Sequence, residues 1–173
     1  MKNRILSALA FIFIACSFWS CGVYSFSGVS TAATSIQVDA FYNNTDLAPA
    51  NFGQTFTNRV KDYYQRNSNL KVVAANGELQ IDGTISSYSL SQIAPVVNSE
   101  GVSTAALSRL TIAVSANYVD SIEPKNSFKN KSFSFYADFP NEQQLTGSNQ
   151  EELEKKILDQ ILLDIFNATI ANW

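Results

Sequence analysis

The 173-residue chain has no histidine, and its two cysteines, Cys16 and Cys21, both lie close to the N-terminus. Without histidine it loses the commonest general base, the commonest zinc ligand and every Ser-His-Asp constellation. It also has no Gly-x-Gly-x-x-Gly, P-loop, calcium-loop or Gly-x-Ser-x-Gly motif. Neither an enzymatic activity nor a cofactor is expected. The acids cluster at Glu151, Glu152 and Glu154, in the first turn of a predicted helix, where negative charge complements the helix dipole. Asp82 and Asp138, on the polar faces of predicted strands, are the carboxylates left for an acid–base reading. The charge is 12 basic against 15 acidic residues, and loss of Lys2 and Arg4 with an N-terminal segment makes it 10 against 15. So acidic a protein is not a general nucleic-acid binder.

What is present begins at the N-terminus. Lys2 and Arg4 precede an apolar run from Ile5 to Trp19, which suits a translocon but is too short to span a bilayer comfortably. Residues 1–20 therefore read as a removable signal. Ser20, a small residue, directly precedes Cys21, as in a bacterial lipobox, whose cysteine is acylated and becomes the first mature residue. Cys16, preceded by Phe13-Ile14-Ala15, is the rival, and an uncleaved signal with two ordinary thiols or a Cys16–Cys21 disulfide is the plainer reading. If Cys21 carries the acyl group, the mature chain keeps no free thiol for a disulfide or a thiolate metal site. Residues 21–33, rich in Ser, Gly, Thr and Ala, read as a flexible acylated tether. Residues 34–173 are then one domain.

Within that domain, Ile36, Val38 and Ala40 alternate with Gln37, Asp39 and Phe41, which predicts a half-buried strand. Phe52, Phe56, Val60, Tyr63 and Tyr64 predict an amphipathic helix closing near Asn67, with Asn51 and Gln54 as a capping box. Core packing and a hydrophobic cargo groove are both readings of this aromatic stripe. Leu70 to Val73 is a short extended run. The Asn76-Gly77 turn leads to Leu79, Ile81 and Ile85, and the parity change before Tyr88 predicts a bulge at Ser86-Ser87. Residues 91–106 read as a long loop or an irregular strand extension. Leu107 to Tyr118 and Phe133 to Phe139 alternate around the Glu123-Pro124-Lys125-Asn126 turn and predict a long antiparallel hairpin. A Ser148-to-Glu151 capping box opens a final amphipathic helix with a broad apolar stripe. The expected fold class is α+β, a two-layer sandwich in which a mainly antiparallel sheet of about four strands is covered by two helices (βαβββα).

Four phrases carry a family resemblance: Cys21–Gly28 (Cys-Gly-Val-Tyr-Ser-Phe-Ser-Gly), Gln54-Thr55-Phe56-Thr57, Asn76-Gly77-Glu78-Leu79-Gln80 and the terminal Ala171-Asn172-Trp173. Together they resemble the LptE family, most closely its Bacteroidetes branch. The resemblance favours Cys21, because the family's acylated cysteine is followed by Gly and an aromatic residue, as by Gly22 and Tyr24 here. It implies a lipoprotein anchored in outer-membrane lipid and facing the periplasm. It also implies a domain that plugs an LptD-like β-barrel, helps assemble it and assists lipopolysaccharide (LPS) insertion.

Contact with LPS phosphates calls for Lys or Arg, and the candidate LPS-binding residues are Arg109, Lys125, Lys129 and Lys131. Lys129 and Lys131, two apart, are expected on one strand face, and Lys125 in the adjoining turn. The plainer readings are lysines that guard a sheet edge and a solvated Arg109. Tyr24 and Phe26 suit either the membrane interface or the barrel. A free-standing periplasm-facing lipoprotein that binds a lipid or glycan is the alternative function.

Mass spectrometry of the membrane-extracted chain is expected to show an acylated N-terminal peptide beginning at Cys21. Cys21→Ala should abolish that peptide while Cys16→Ala leaves it intact, and a lipidated peptide beginning at Cys16 would overturn the assignment.

Overall fold

The computed structural model describes residues 31–94 and 106–170. The signal, both cysteines and residues 22–30 lie outside them. The order is β1 (Ser35–Asn43), α1 (Phe52–Asn67), β2 (Lys71–Val73), β3 (Leu79–Ile93), β4 (Leu107–Asp120), a 3-10 turn (Pro124–Asn126), β5 (Phe128–Pro140) and α2 (Gly147–Thr169). No described helix is long and apolar enough to cross a membrane.

The five strands form one mixed sheet in the order β2-β1-β3-β4-β5. The sheet has five strands rather than about four because Lys71–Val73 pairs parallel with Ser35–Gln37. β3 also runs parallel to β1, on its other side, and only β3, β4 and β5 are mutually antiparallel. Asn76-Gly77 does turn the chain, with Asn76 at φ +56, but β1 lies between the strands it joins, so it closes no hairpin. A Cβ on Gly77 would lie 2.8 Å from the Gln37 Cβ, which explains the glycine.

Both helices cover one face of the sheet. On α1, Phe52, Phe56, Val60 and Tyr64 recur every fourth residue and are buried, so the aromatic stripe is core packing. Phe56 meets Phe41 edge-on at 5.0 Å, and Phe52 meets Tyr88 at 5.6 Å. On α2, Ile157, Leu158, Ile161, Leu162, Ile165 and Phe166 are buried against Leu110, Ile112 and Val114 of β4 and Phe133 and Phe139 of β5. Each of these large side chains contributes ~1.5–3 kcal/mol from leaving water.

Four local expectations differ from the structure. β1 carries a bulge between Val38 and Phe41, so Phe41 turns into the core and Ala40 turns out, the reverse of the simple alternation. β3 continues to Ile93, three residues into the stretch expected as irregular. Asn51 makes no side-chain cap, because φ −92 and ψ 8 are not the extended values that aim a cap at the first turn; Gln54 bonds Asn58 instead. Ser148 lies inside α2, whose cap position is Thr146. The bulge expected at Ser86-Ser87 is present, between Ile85 and Ser87.

Gly83 sits where β3 crosses beneath the Phe41 ring, and a Cβ there would lie 2.6 Å from that ring and still closer to the Ser115 carbonyl oxygen. Backbone cannot move aside as a flexible side chain does. Gly83→Ala is expected to lower unfolding stability by roughly 3 kcal/mol in urea titrations, with Ser86→Ala near neutral.

Candidate functional site

Arg109, Lys125, Lys129 and Lys131 all lie on the β4–β5 hairpin, and the structure divides them between its two ends. Arg109 pairs across the ladder with Asp138, whereas Lys131 pairs with Ala116. Seven positions along β4 separate these rungs, about 24 Å at the rise of an antiparallel strand.

Arg109 stands on the open face of the sheet, away from the helices. Its Nε and Nη2 donate to the two Asp138 oxygens at 2.6 and 2.9 Å, and its guanidinium lies 3.7 Å above the centre of the Tyr136 ring. A planar fork matched to a carboxylate and stacked on an aromatic is well satisfied. Hydrogen bonding to Asp138 raises the Arg109 pKa, and the same bonds hold the Asp138 carboxyl below its ordinary value. Arg109 is therefore already paired, which a bare strand pattern does not reveal.

The lysines surround the hairpin turn. Buried Asp120 organises this turn by accepting from the backbone N–H groups of Ile122 at 2.9 Å and Glu123 at 2.7 Å. Lys125 projects from the 3-10 turn and meets the exposed Glu123 at 3.2 Å. Lys129 and Lys131 do not share a face, because Lys129 and Asn130 together oppose Asn117, and Asn130 adopts φ +52. This bulge puts Lys131 on the helix side of the sheet, 5.1 Å from the Phe128 ring centre and 5.6 Å from that of Phe133. Lys129 and Lys131 have no carboxylate within ion-pair distance among the described residues.

Two further features join residues far apart in sequence. A broad groove of about 820 Å³ separates the outer side of β5 from α2 and is lined by Phe135, Phe139, Leu153 and Leu163 with Lys155 and Asp159. Buried Glu154 accepts from the Tyr88 hydroxyl and from Gln150, both at 2.8 Å, fastening the start of α2 to β3. Burial and the adjacent carboxylate push the Tyr88 pKa up, so its hydroxyl stays a donor. Glu151, Glu152 and Glu154, expected in the first turn of this helix, lie beyond it because α2 already begins at Gly147, and Glu154 is buried rather than complementing the helix dipole; its place in the apolar stripe beside Ile157 and Leu158 is the signal for this. Among the described residues no His, Cys, Asp and Glu cluster could hold a metal ion. Asp82 is bonded to Asn117 at 2.8 Å and Asp138 to Arg109, and the two do not form a carboxylate pair.

A carboxyl whose folded pKa lies below its unfolded one adds stability above the unfolded value and loses it as pH falls. The urea midpoint of the unaltered chain should exceed that of Asp138→Asn at neutral pH. The difference should shrink as pH falls through about 4 and vanish below it; a pH-independent difference would contradict the pairing.

The family of lipopolysaccharide-assembly proteins, LptE, matches residues 33–169. No curated protein matches the sequence. Among solved structures, the hypothetical protein CT253 from Chlamydia trachomatis superposes with a TM-score of 0.53 at 10% identity, covering 82% of this chain and 100% of that one. An uncharacterized lipoprotein B from Nitrosomonas europaea gives 0.46 at 15% identity, over 77% of this chain and 79% of that one. The rare lipoprotein B from Shewanella oneidensis gives 0.42 at 11% identity, over 78% and 90%. The match over 33–169 spans every described strand and helix, and the chain belongs to the LptE family of lipopolysaccharide-assembly proteins.

Proposed function

We propose that this chain is an outer-membrane lipoprotein subunit of the LPS translocon, anchored through acylated Cys21 and facing the periplasm. It seats in an LptD-like β-barrel, helps that barrel assemble and assists LPS insertion. Family membership across the whole folded domain carries this reading.

Physical features support it. One face of the sheet is covered by no described element and presents Thr84, Ser89, Thr111, Ser115, Ser132 and Ser134. A polar, hydroxyl-rich face suits the polar interior of a membrane barrel. The cations fit a lipid that carries phosphate. Lys125, Lys129 and Lys131 are the exposed ones, and Arg109, held by Asp138, serves the sheet.

Tagged chain extracted from membranes in mild detergent is expected to bring down a large β-barrel protein in constant proportion, and Cys21→Ala should deplete that complex. A lipidated chain that always migrates alone would overturn the plug reading in favour of a free-standing lipoprotein binding a lipid or glycan.

A further inference from the structure

Lys125, Lys129 and Lys131 gather at the end of the domain where the tether arrives. Glu78 joins the two. Its carboxylate accepts from the Thr34 backbone N–H at 2.5 Å and from the Thr34 hydroxyl at 3.0 Å, and its backbone carbonyl accepts from Ser121 N–H at 3.0 Å. Thr34 directly precedes β1 and Ser121 opens the β4–β5 turn, so Glu78 links the start of the fold to the lysine-bearing turn. Lys71 belongs to the same end, since it pairs with Ser35. Arg66 stands in the last turn of α1, just before it.

Charge is segregated along the strands. The tether end carries Arg66, Lys71, Lys125, Lys129 and Lys131 against half-buried Glu78, exposed Glu123 and buried Asp120. At the far end, where β5 finishes and α2 starts, Glu142, Glu151 and Glu152 outnumber Lys155 and Lys156. An acidic protein is repelled by an acidic surface as a whole, yet within a screening length of about 8 Å the nearest charges decide the sign. Ile122, 45% exposed, projects from the same turn, and Val119, 42% exposed, lies just before it. Basic side chains beside exposed apolar ones are the composition of a peripheral membrane contact. If Cys21 is the anchor, residues 22–33 extend at most about 40 Å, which keeps this end close to the bilayer.

We propose that the tether end of the domain docks on the phospholipid leaflet that holds its anchor. Lys125, Lys129, Lys131 and Lys71 meet headgroup phosphates there, and Ile122 enters the headgroup layer. This rests on the anchoring reading above and names the source of the phosphate: acidic phospholipid, not a transported lipid. The far end then points away from the leaflet.

The test uses the acylated mature chain with Ile122→Cys carrying an environment-sensitive fluorophore, and a second chain labelled at Glu142→Cys. Each is placed on phosphatidylcholine vesicles with and without phosphatidylglycerol. The Ile122 label should shift to the blue and become several-fold less accessible to acrylamide only when phosphatidylglycerol is present. Lys125→Glu, Lys129→Glu and Lys131→Glu together should abolish the change, and the Glu142 label should stay solvent-exposed throughout. Equal quenching at Ile122 on both vesicles, or protection at Glu142 instead, would overturn the proposal. Failure of the anchoring reading shows separately, as a chain that lacks acyl mass and stays off every vesicle. The same label is then read on a Cys21→Ser chain held to nickel-chelating lipid by an N-terminal tag, with the same expected and overturning outcomes.

Discussion

Every strand must present its apolar residues to the same side, because both helices cover one face of the sheet and no described element covers the other. A strand that slips by one residue sends its whole hydrophobic set to the wrong face. Three strands meet the requirement by bulging. In β1 the bulge before Phe41 turns a ring inward that contributes ~1.5–3 kcal/mol by burial, against about 1 kcal/mol for a ladder bond. Even that loss is offset. The Phe41 N–H donates to the Thr57 hydroxyl at 2.9 Å, which itself donates to the Gly53 carbonyl at 2.8 Å. In β5 the Asn130 N–H donates to the Asn117 side chain at 2.9 Å. Two of the bulges therefore come with a side chain that takes up a backbone donor.

This constraint also decides what was legible in the sequence. The alternation through Leu110, Ile112, Val114 and Ala116 is unbroken, and each of these residues is fully buried. The hairpin register does not follow from its turn: pairs from Leu107–Pro140 to Ala116–Lys131 keep one constant sum of residue numbers, but Tyr118–Phe128, nearest the turn, sums to one less, so the turn alone would set Arg109 opposite Ala137 rather than Asp138. The bulge at Ser86 was readable because apolar residues on either side change parity. The bulge at Lys129-Asn130 was not, because no apolar alternation runs through it. A spacing of two between lysines is thus no guide to their faces. β2 was legible as a short extended run but not as a member of the sheet: three residues contain too few positions to show a period, and parallel pairing with β1 depends on contacts made across α1.

The distribution of charge along β5 separates two roles that sequence alone leaves open for its lysines. Lysines that protect an edge strand should lie along its exposed length. Here Lys129, Lys131 and the bulge are confined to the first residues of β5, while Ser132 to Ala137 carries no charge and Pro140 stands only at its end. The opposite edge, β2, is protected by being three residues long. Lysines placed only beside the turn leave most of the edge unguarded. The bare remainder of β5 is a liability for a chain free in solution and none for one whose edge is enclosed. An unguarded edge beside the groove to α2 is therefore easier to reconcile with a domain housed inside a partner than with one that stands alone.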